Sequence, residues 1–152
     1  MAYKPLYEYT PQNAVQLAGT HSQFSLDAGT TWQPLKGLQQ ISAVGNKAST
    51  QDQTTIDDEA KRYMGAIKDG EDRDMEFLYY KEDTDQEDLR NAANALQVVK
   101  IKHQWKNGVV ATYEMALLGW SVSEGTVDDL MKFTISGKLN GDVAWSEAEQ
   151  QV

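Results

Sequence analysis

The chain has 152 residues, 14 Lys and Arg against 23 Asp and Glu, a formal charge of −9 and no cysteine. That length suits one domain, and a chain this size buries about 68–70% of its unfolded surface, enough for a core without disulfides. The acidic balance argues against a phosphate-gripping or anionic-lipid-docking protein, and the lack of cysteine removes thiolate metal sites, Fe–S ligation and a cysteine nucleophile.

The charge is localised. Between Asp52 and Asp88 lie 14 acids and five bases, so that window alone carries −9 and the rest is balanced. No apolar run approaches the ~20 residues of a membrane helix, and Met1-Ala2-Tyr3-Lys4-Pro5 has no apolar signal core. The expectation is a soluble protein made in the cytosol, with no membrane anchoring.

Residues 1–20 carry Pro5, Pro11 and Gly19 with Tyr3, Tyr7 and Tyr9, and read as an irregular arm lying against its own subunit or a neighbour. His21–Asp27 is a first strand, followed by a turn at Ala28-Gly29-Thr30. Leu35–Val44 is a second strand. One face holds Leu35, Gly37, Gln39, Ile41 and Ala43, the other Lys36, Leu38, Gln40, Ser42 and Val44. Neither face is strongly apolar, which fits an edge or a wall facing water.

Residues 45–74 are rich in Gln, Thr, Asp and Gly. Loops beyond about 12–15 residues without structure of their own are usually functional or disordered, so this is the candidate functional loop, part of it an extended hairpin. Met75–Tyr80 is a strand by composition. Thr84 and Glu87 form a capping box, and Leu89, Ala92, Ala93 and Leu96 recur at helical spacing, predicting one helix over Asp85–Leu96. Val98–Trp105 alternates, Asn107-Gly108 is a hairpin turn, and Val109–Trp120 is the return strand. Met131–Leu139 alternates cleanly. A second Asn-Gly turn at Asn140-Gly141 leads to a strand holding Val143 and Trp145, and 146–152 is a loose polar tail. The fold class is mainly β: an antiparallel sandwich or small open barrel of about seven or eight strands, with one flanking helix, a long loop and terminal arms.

No catalytic constellation emerges. Asp57-Asp58-Glu59 and the acids of 69–74 do not match the spacing of a calcium loop. Fourteen acids around one loop give no preferred carboxylate pair for glycoside hydrolysis. Ser22 beside His21 lacks the Gly-x-Ser-x-Gly setting of a nucleophile, and no phosphate-binding glycine motif is present. His103 falls on the apolar face of its strand and reads as a packed, hydrogen-bonded core residue. Trp105 and Trp120 share strands with core positions, so packing is favoured over a ligand platform, while exposed tryptophans keep open a carbohydrate-binding sandwich. No cofactor, metal or catalytic residue is expected. A frame with arms and a loop that cannot bury surface within one subunit points to an assembly protein.

The order of these pieces resembles the major tail tube proteins of lambda-like, long non-contractile-tailed phages. The likeness runs from Gly19 to Trp145 and rests on several segments. These are Leu35-Lys36-Gly37-Leu38, Ile56-Asp57-Asp58-Glu59, Gly70-Glu71-Asp72-Arg73-Asp74-Met75-Glu76-Phe77, the helix, the Lys100–Leu118 hairpin, Gly119-Trp120-Ser121-Val122-Ser123 and Phe133-Thr134-Ile135-Ser136-Gly137. The resemblance implies a non-enzymatic β-sandwich whose homo-hexameric rings stack into a tube conducting double-stranded DNA, on a virion made in a bacterial host. Its implied partners are a tape-measure protein, a tail terminator and tail-tip proteins. A tail terminator and a type VI secretion-type tube protein are alternatives of the same class. Some relatives carry an exterior immunoglobulin-like domain; the chain ends soon after Trp145, so no decoration role is carried over.

By this likeness the ring-stacking residues are Gln51, Asp52, Ile56, Asp57, Asp58, Glu59, Tyr63 and Met64. The arm contacts are Tyr3, Tyr7 and Tyr9. Lys36, Leu38, Gln40 and Ser42 are the candidates for the strand facing the lumen.

Overall fold

A computed structural model describes residues 16–41, 43–45, 47–69 and 72–147. The strands are β1 (His21–Ser25), β2 (Gln33–Pro34), β3 (Leu38–Gln40), β4 (Lys47–Asp52), β5 (Tyr63–Asp69), β6 (Asp72–Leu78), β7 (Val98–Gln104), β8 (Val109–Val122) and β9 (Lys132–Glu147), with one helix, α1 (Thr84–Asn94). Seven strands form an antiparallel sheet in the order β2-β1-β7-β8-β9-β6-β3, curled into a half-barrel, while β4 and β5 pair only with each other. The expected mainly β frame with one helix is the one observed.

Alternation builds the core. Val99, Ile101 and His103 of β7 point inward, as do Tyr113, Met115 and Leu117 of β8 and Phe133, Ile135 and Leu139 of β9. Leu89, Ala92 and Ala93 lay the helix on this surface. Their small stripe admits the helix closely, and the Arg90 guanidinium lies 4.4 Å from the centre of the Tyr79 ring. Phe77 stacks on Phe133 at 5.0 Å across β6 and β9.

Two long strands bend instead of breaking. The Asn140-Gly141 turn expected from sequence is absent: β9 continues through it. Between the pairs Thr112↔Ala144 and Glu114↔Asn140, β8 advances two residues while β9 advances four. Two extra residues leave the inward set unchanged, so Val143 stays buried. Gly141 takes φ +82°, a backbone state that costs glycine little. The second bulge lies on β8 between Leu117 and Gly119, where one extra residue flips the alternation and turns Trp120 onto the core. Gly119 there has φ +122°.

Three further boundaries differ from expectation. The helix is capped one residue early: the Asp83 side chain accepts from the Asp85 N–H at 3.0 Å, so Thr84 already lies inside the helix. A carboxylate there satisfies an orphan donor and suits the helix dipole. The helix also stops at Asn94, where Leu96 enters the left-handed region at φ +55° and donates to the Ala93 carbonyl. The predicted strand Leu35–Val44 shrinks to β3, because Leu35 is buried and Gly37 at φ +74° turns the chain. Nine strands stand among the described residues instead of seven or eight, since the 45–74 segment contributes β4, β5 and the start of β6.

Candidate functional site

The β4–β5 hairpin stands apart from the core. Every residue of β4 is exposed, and on β5 the side chains of Tyr63, Met64 and Ile67 face solvent, Ile67 at 91%. Its sequence, Lys-Ala-Ser-Thr-Gln-Asp opposite Tyr-Met-Gly-Ala-Ile, has neither face apolar enough to be drawn into a core. The strands hold each other through pairs such as Gln51↔Met64 and Asp52↔Tyr63.

The tip is ordered by its own side chains. Asp52 accepts from the Thr54 N–H at 2.9 Å, and the bonds from Thr54 hold its carboxyl below the usual range. Asp58 accepts from the Thr55 N–H at 2.8 Å and pairs with Arg62 at 3.1 Å. The Arg62 N–H donates to Thr54 Oγ1 at 3.0 Å, closing the loop. At the base, Lys68 meets Asp142 of β9 at 3.2 Å, and Arg73 donates to the Gly45 carbonyl at 2.8 Å. The hairpin is therefore shaped at its tip and anchored at its root, with an exposed span between.

All eight residues expected to stack rings lie on this one element. Gln51, Asp52, Tyr63 and Met64 form adjacent cross-strand pairs, and Ile56, Asp57, Asp58 and Glu59 occupy the tip, Ile56 fully exposed. The four lumen candidates do not gather. Lys36 sits at the helix start, 3.2 Å from Asp85 and 3.7 Å from Asp83, and its ammonium is held above its usual range, first by the Asp85 hydrogen bond and then by the Asp83 charge. Leu38 packs on the core beside Phe77, and Gln40 is exposed opposite Glu76. Ser42, Tyr3, Tyr7 and Tyr9 lie outside the described residues.

Sequence reasoning missed the broad outer face of the central sheet. Lys100, Lys102, Glu114, Thr134, Ser136, Lys138, Asp72, Asp74 and Glu76 alternate with the core positions of β6 to β9. It also missed Gln86, buried in α1. Its Oε1 accepts from the Tyr80 N–H at 2.9 Å, and its Nε2 donates to the Lys36 and Leu78 carbonyls, both at 2.8 Å. A glutamine in the first helical turn was the only local signal, and its partner at Lys36 is 50 residues away.

His103 is a core residue, as its register suggests. Ser22 Oγ lies 2.6 Å from Nδ1 and the Tyr113 hydroxyl 2.9 Å from Nε2. Burial lowers its pKa to about 4 and pushes the Tyr113 phenol up. The imidazole is thus neutral at pH 7 and serves to satisfy two buried hydroxyls. Trp105 and Trp120 pack against the core; Trp105 stacks on the half-exposed Trp145 at 6.1 Å. Among the described residues no group of three or more His, Asp or Glu side chains could hold a metal ion, and no helix is long and apolar enough to cross a membrane.

No curated protein matches the chain. Solved structures share its fold at low identity. The tail of an empty gene transfer agent particle is 12% identical with a TM-score of 0.70, covering 88% of this chain and 99% of that one. A chain of the anti-feeding prophage baseplate is 10% identical with a TM-score of 0.68, covering 94% and 100%. The SPP1 tail tube is 14% identical with a TM-score of 0.62, covering 86% and 78%. In sequence, the phage tail tube protein family matches residues 15–148, nearly the whole chain, and the protein belongs to that family: it is a structural tail tube subunit.

Proposed function

We propose that copies of this chain close into hexameric rings that stack into a tube, and that the tube conducts double-stranded DNA from the virion. The observation that carries the stacking is the β4–β5 hairpin. A two-stranded hairpin alone is marginal in water and needs a third strand or a packing surface. Here no described part of the subunit supplies one along the exposed span. The hairpin finds its cover on another copy, with Ile56, Tyr63, Met64 and Ile67 as the apolar contacts.

Sixfold closure is supported by two relatives: the gene transfer agent tail is described with C6 symmetry, and the anti-feeding prophage baseplate is 6-fold symmetrised. Conduction is supported by charge. Six copies carry 6 × −9 = −54 formal charges. DNA carries one negative charge per ~1.7 Å of axis, so an acidic conduit does not grip it. The wall we assign to the lumen is the polar outer face of β6 to β9 rather than the predicted 35–44 strand. Tape-measure, terminator and tail-tip proteins complete the assembly on this reading, and the virion tail is its location.

The fold is also shared with a chain of the anti-feeding prophage tube-terminating cap, at a TM-score of 0.65. One experiment addresses both readings. Negative-stain microscopy of the concentrated protein is expected to show tubes of unlimited length. Single closed rings would reassign the chain as a terminator, and monodisperse monomers under all conditions would overturn the tube reading.

A further inference from the structure

The two ends of β8 differ in chemistry in a way that stacking by the hairpin does not use. β8 has 14 residues, a span of roughly 45 Å at strand rise. At its start lies the 105–108 turn, closed by the Gly108 N–H on the Trp105 carbonyl at 3.0 Å. At its end lies the 123–131 connection to β9. Because β8 and β9 are antiparallel, Trp145 returns beside Ala111, near the first end, and Lys132 leaves from the second.

Each end exposes apolar surface. At the first, the Trp105–Trp145 stack presents Trp145 at 56% exposure. At the second, Val127 is fully exposed, and Leu130, Met131 and Val122 are each more than half exposed. Scattered exposed apolar residues are ordinary; contiguous ones mark interaction sites. Four within ten residues form such a patch.

Charge matches as well. Residues 89–113 hold Arg90, Lys100, Lys102 and Lys106 and no acid. Arg90 is buried and Lys102 lies over the Trp32 ring, which leaves Lys106 as the cation at the turn. Among the described residues Lys106 has no ion-pair partner. Glu147, opposite Val109, lies one strand over. Residues 123–131 hold Glu124, Asp128 and Asp129 and no base. Asp129 is turned onto the Thr126 N–H at 2.7 Å, which shapes the loop and leaves Glu124 and Asp128 facing solvent.

We infer that the 105–108 turn with the Trp105–Trp145 stack of one copy docks on the 123–131 loop of the next, Lys106 against Glu124 and Asp128, Trp145 against Val127 and Leu130. The contact is heterologous: two different patches meet, so each copy leaves one of each free and the chain of contacts propagates. This inference rests on the tube reading and names a second contact beside the hairpin.

The lack of native cysteine makes the test direct. The variant Asn107→Cys/Val127→Cys, assembled and then mildly oxidised, is expected to give a ladder of covalent multimers on a denaturing gel. Neither single variant gives more than monomer. In parallel, Lys106→Glu and Asp128→Lys each reduce sedimentable tubes, and combining them restores assembly; both positions are exposed, so an unchanged melting temperature shows intact folding. Tubes that form normally but give no ladder, or dimers from Asn107→Cys alone, overturn this contact and leave the tube reading standing. Wild-type protein that forms no tube overturns the tube reading itself.

Discussion

The β8–β9 pair and the β4–β5 hairpin are both antiparallel ladders with a register irregularity, yet they are stabilised by different things. In β8 and β9 every second side chain enters the core, and each such burial removes apolar area worth about 25 cal/mol per Å². In β4 and β5 the backbone bonds are made but almost nothing is buried. Net backbone hydrogen bonds contribute only about 1 kcal/mol each, against a similar entropy cost per ordered residue. The core pair therefore folds on its own account, and the hairpin keeps its shape through local bonds at Asp52 and Asp58 until another copy covers it. Fold and assembly are carried by separate parts of the chain.

That separation can be broken most forcefully from the core side. Phe133 is fully buried against Phe77, Tyr79 and Trp120. Phe133→Ala is expected to cost about 3–5 kcal/mol, read by chemical denaturation of the unassembled subunit. A loss below 1 kcal/mol would mean the aromatic cluster collapses around the gap and the core is not tightly packed there.

The next largest effect is a pH dependence seated in the same core. His103 has a pKa of about 4 when folded, against 6.5 for an unperturbed imidazole. Between those values the unfolded chain binds a proton that the folded one does not. Stability is fully present above pH 6.5 and falls as pH drops toward 4, by up to about 3 kcal/mol at 1.36 kcal/mol per unit. Ser22, Tyr113 and the Trp105 ring are the neighbours on all sides, and none offers a compensating charge. His103→Gln should start less stable at pH 7 but lose less between pH 6.5 and 4.5. Parallel profiles for the two proteins would show that the acid sensitivity resides in other groups.

How far the sequence revealed these regions follows the same divide. β7, the Asn107-Gly108 turn and the inward face of β8 were legible because alternation and burial coincide there. The helix was legible to within two residues, since Asp83 and Thr84 are both plausible caps and only the tertiary bond from Gln86 to Lys36 distinguishes the start. Asn140-Gly141 misled because a hairpin signal is local, whereas β9 is held straight by β8 on both sides of it. The hairpin strands were nearly invisible: Lys47–Asp52 is wet on both faces, so it carries no period-two pattern to read. The eight stacking candidates nevertheless fell on one element, because a segment with no use for a core is conspicuous by composition.

A smaller effect, of opposite sign, sharpens the edge of the core. Leu96 adopts φ +55° just past α1 while its side chain is exposed. A left-handed residue other than glycine costs roughly 1–2 kcal/mol, partly offset by the extra freedom glycine has when unfolded. Leu96→Gly should therefore stabilise the subunit by about 0.5–1 kcal/mol. A loss instead would show that Leu96 packs in a way its exposure hides.

The smallest expected effect on the folded subunit is the one with the greatest consequence for assembly. Replacing residues 51–63 by a short Asn-Gly turn removes the tip and the pairs Gln51↔Met64 and Asp52↔Tyr63 while leaving the root anchored by Lys68–Asp142 and Arg73–Gly45. None of the deleted side chains belongs to the core. The expected change in subunit stability is within about 0.5 kcal/mol, the range of surface changes, and tubes should disappear. Circular dichroism and denaturation read the first, sedimentation and microscopy the second. Loss of folding would place the hairpin within the core's cooperative unit, and normal tubes would move the stacking contact elsewhere. A folded subunit that no longer assembles would establish that one pair of strands exists for the tube and the other for the subunit.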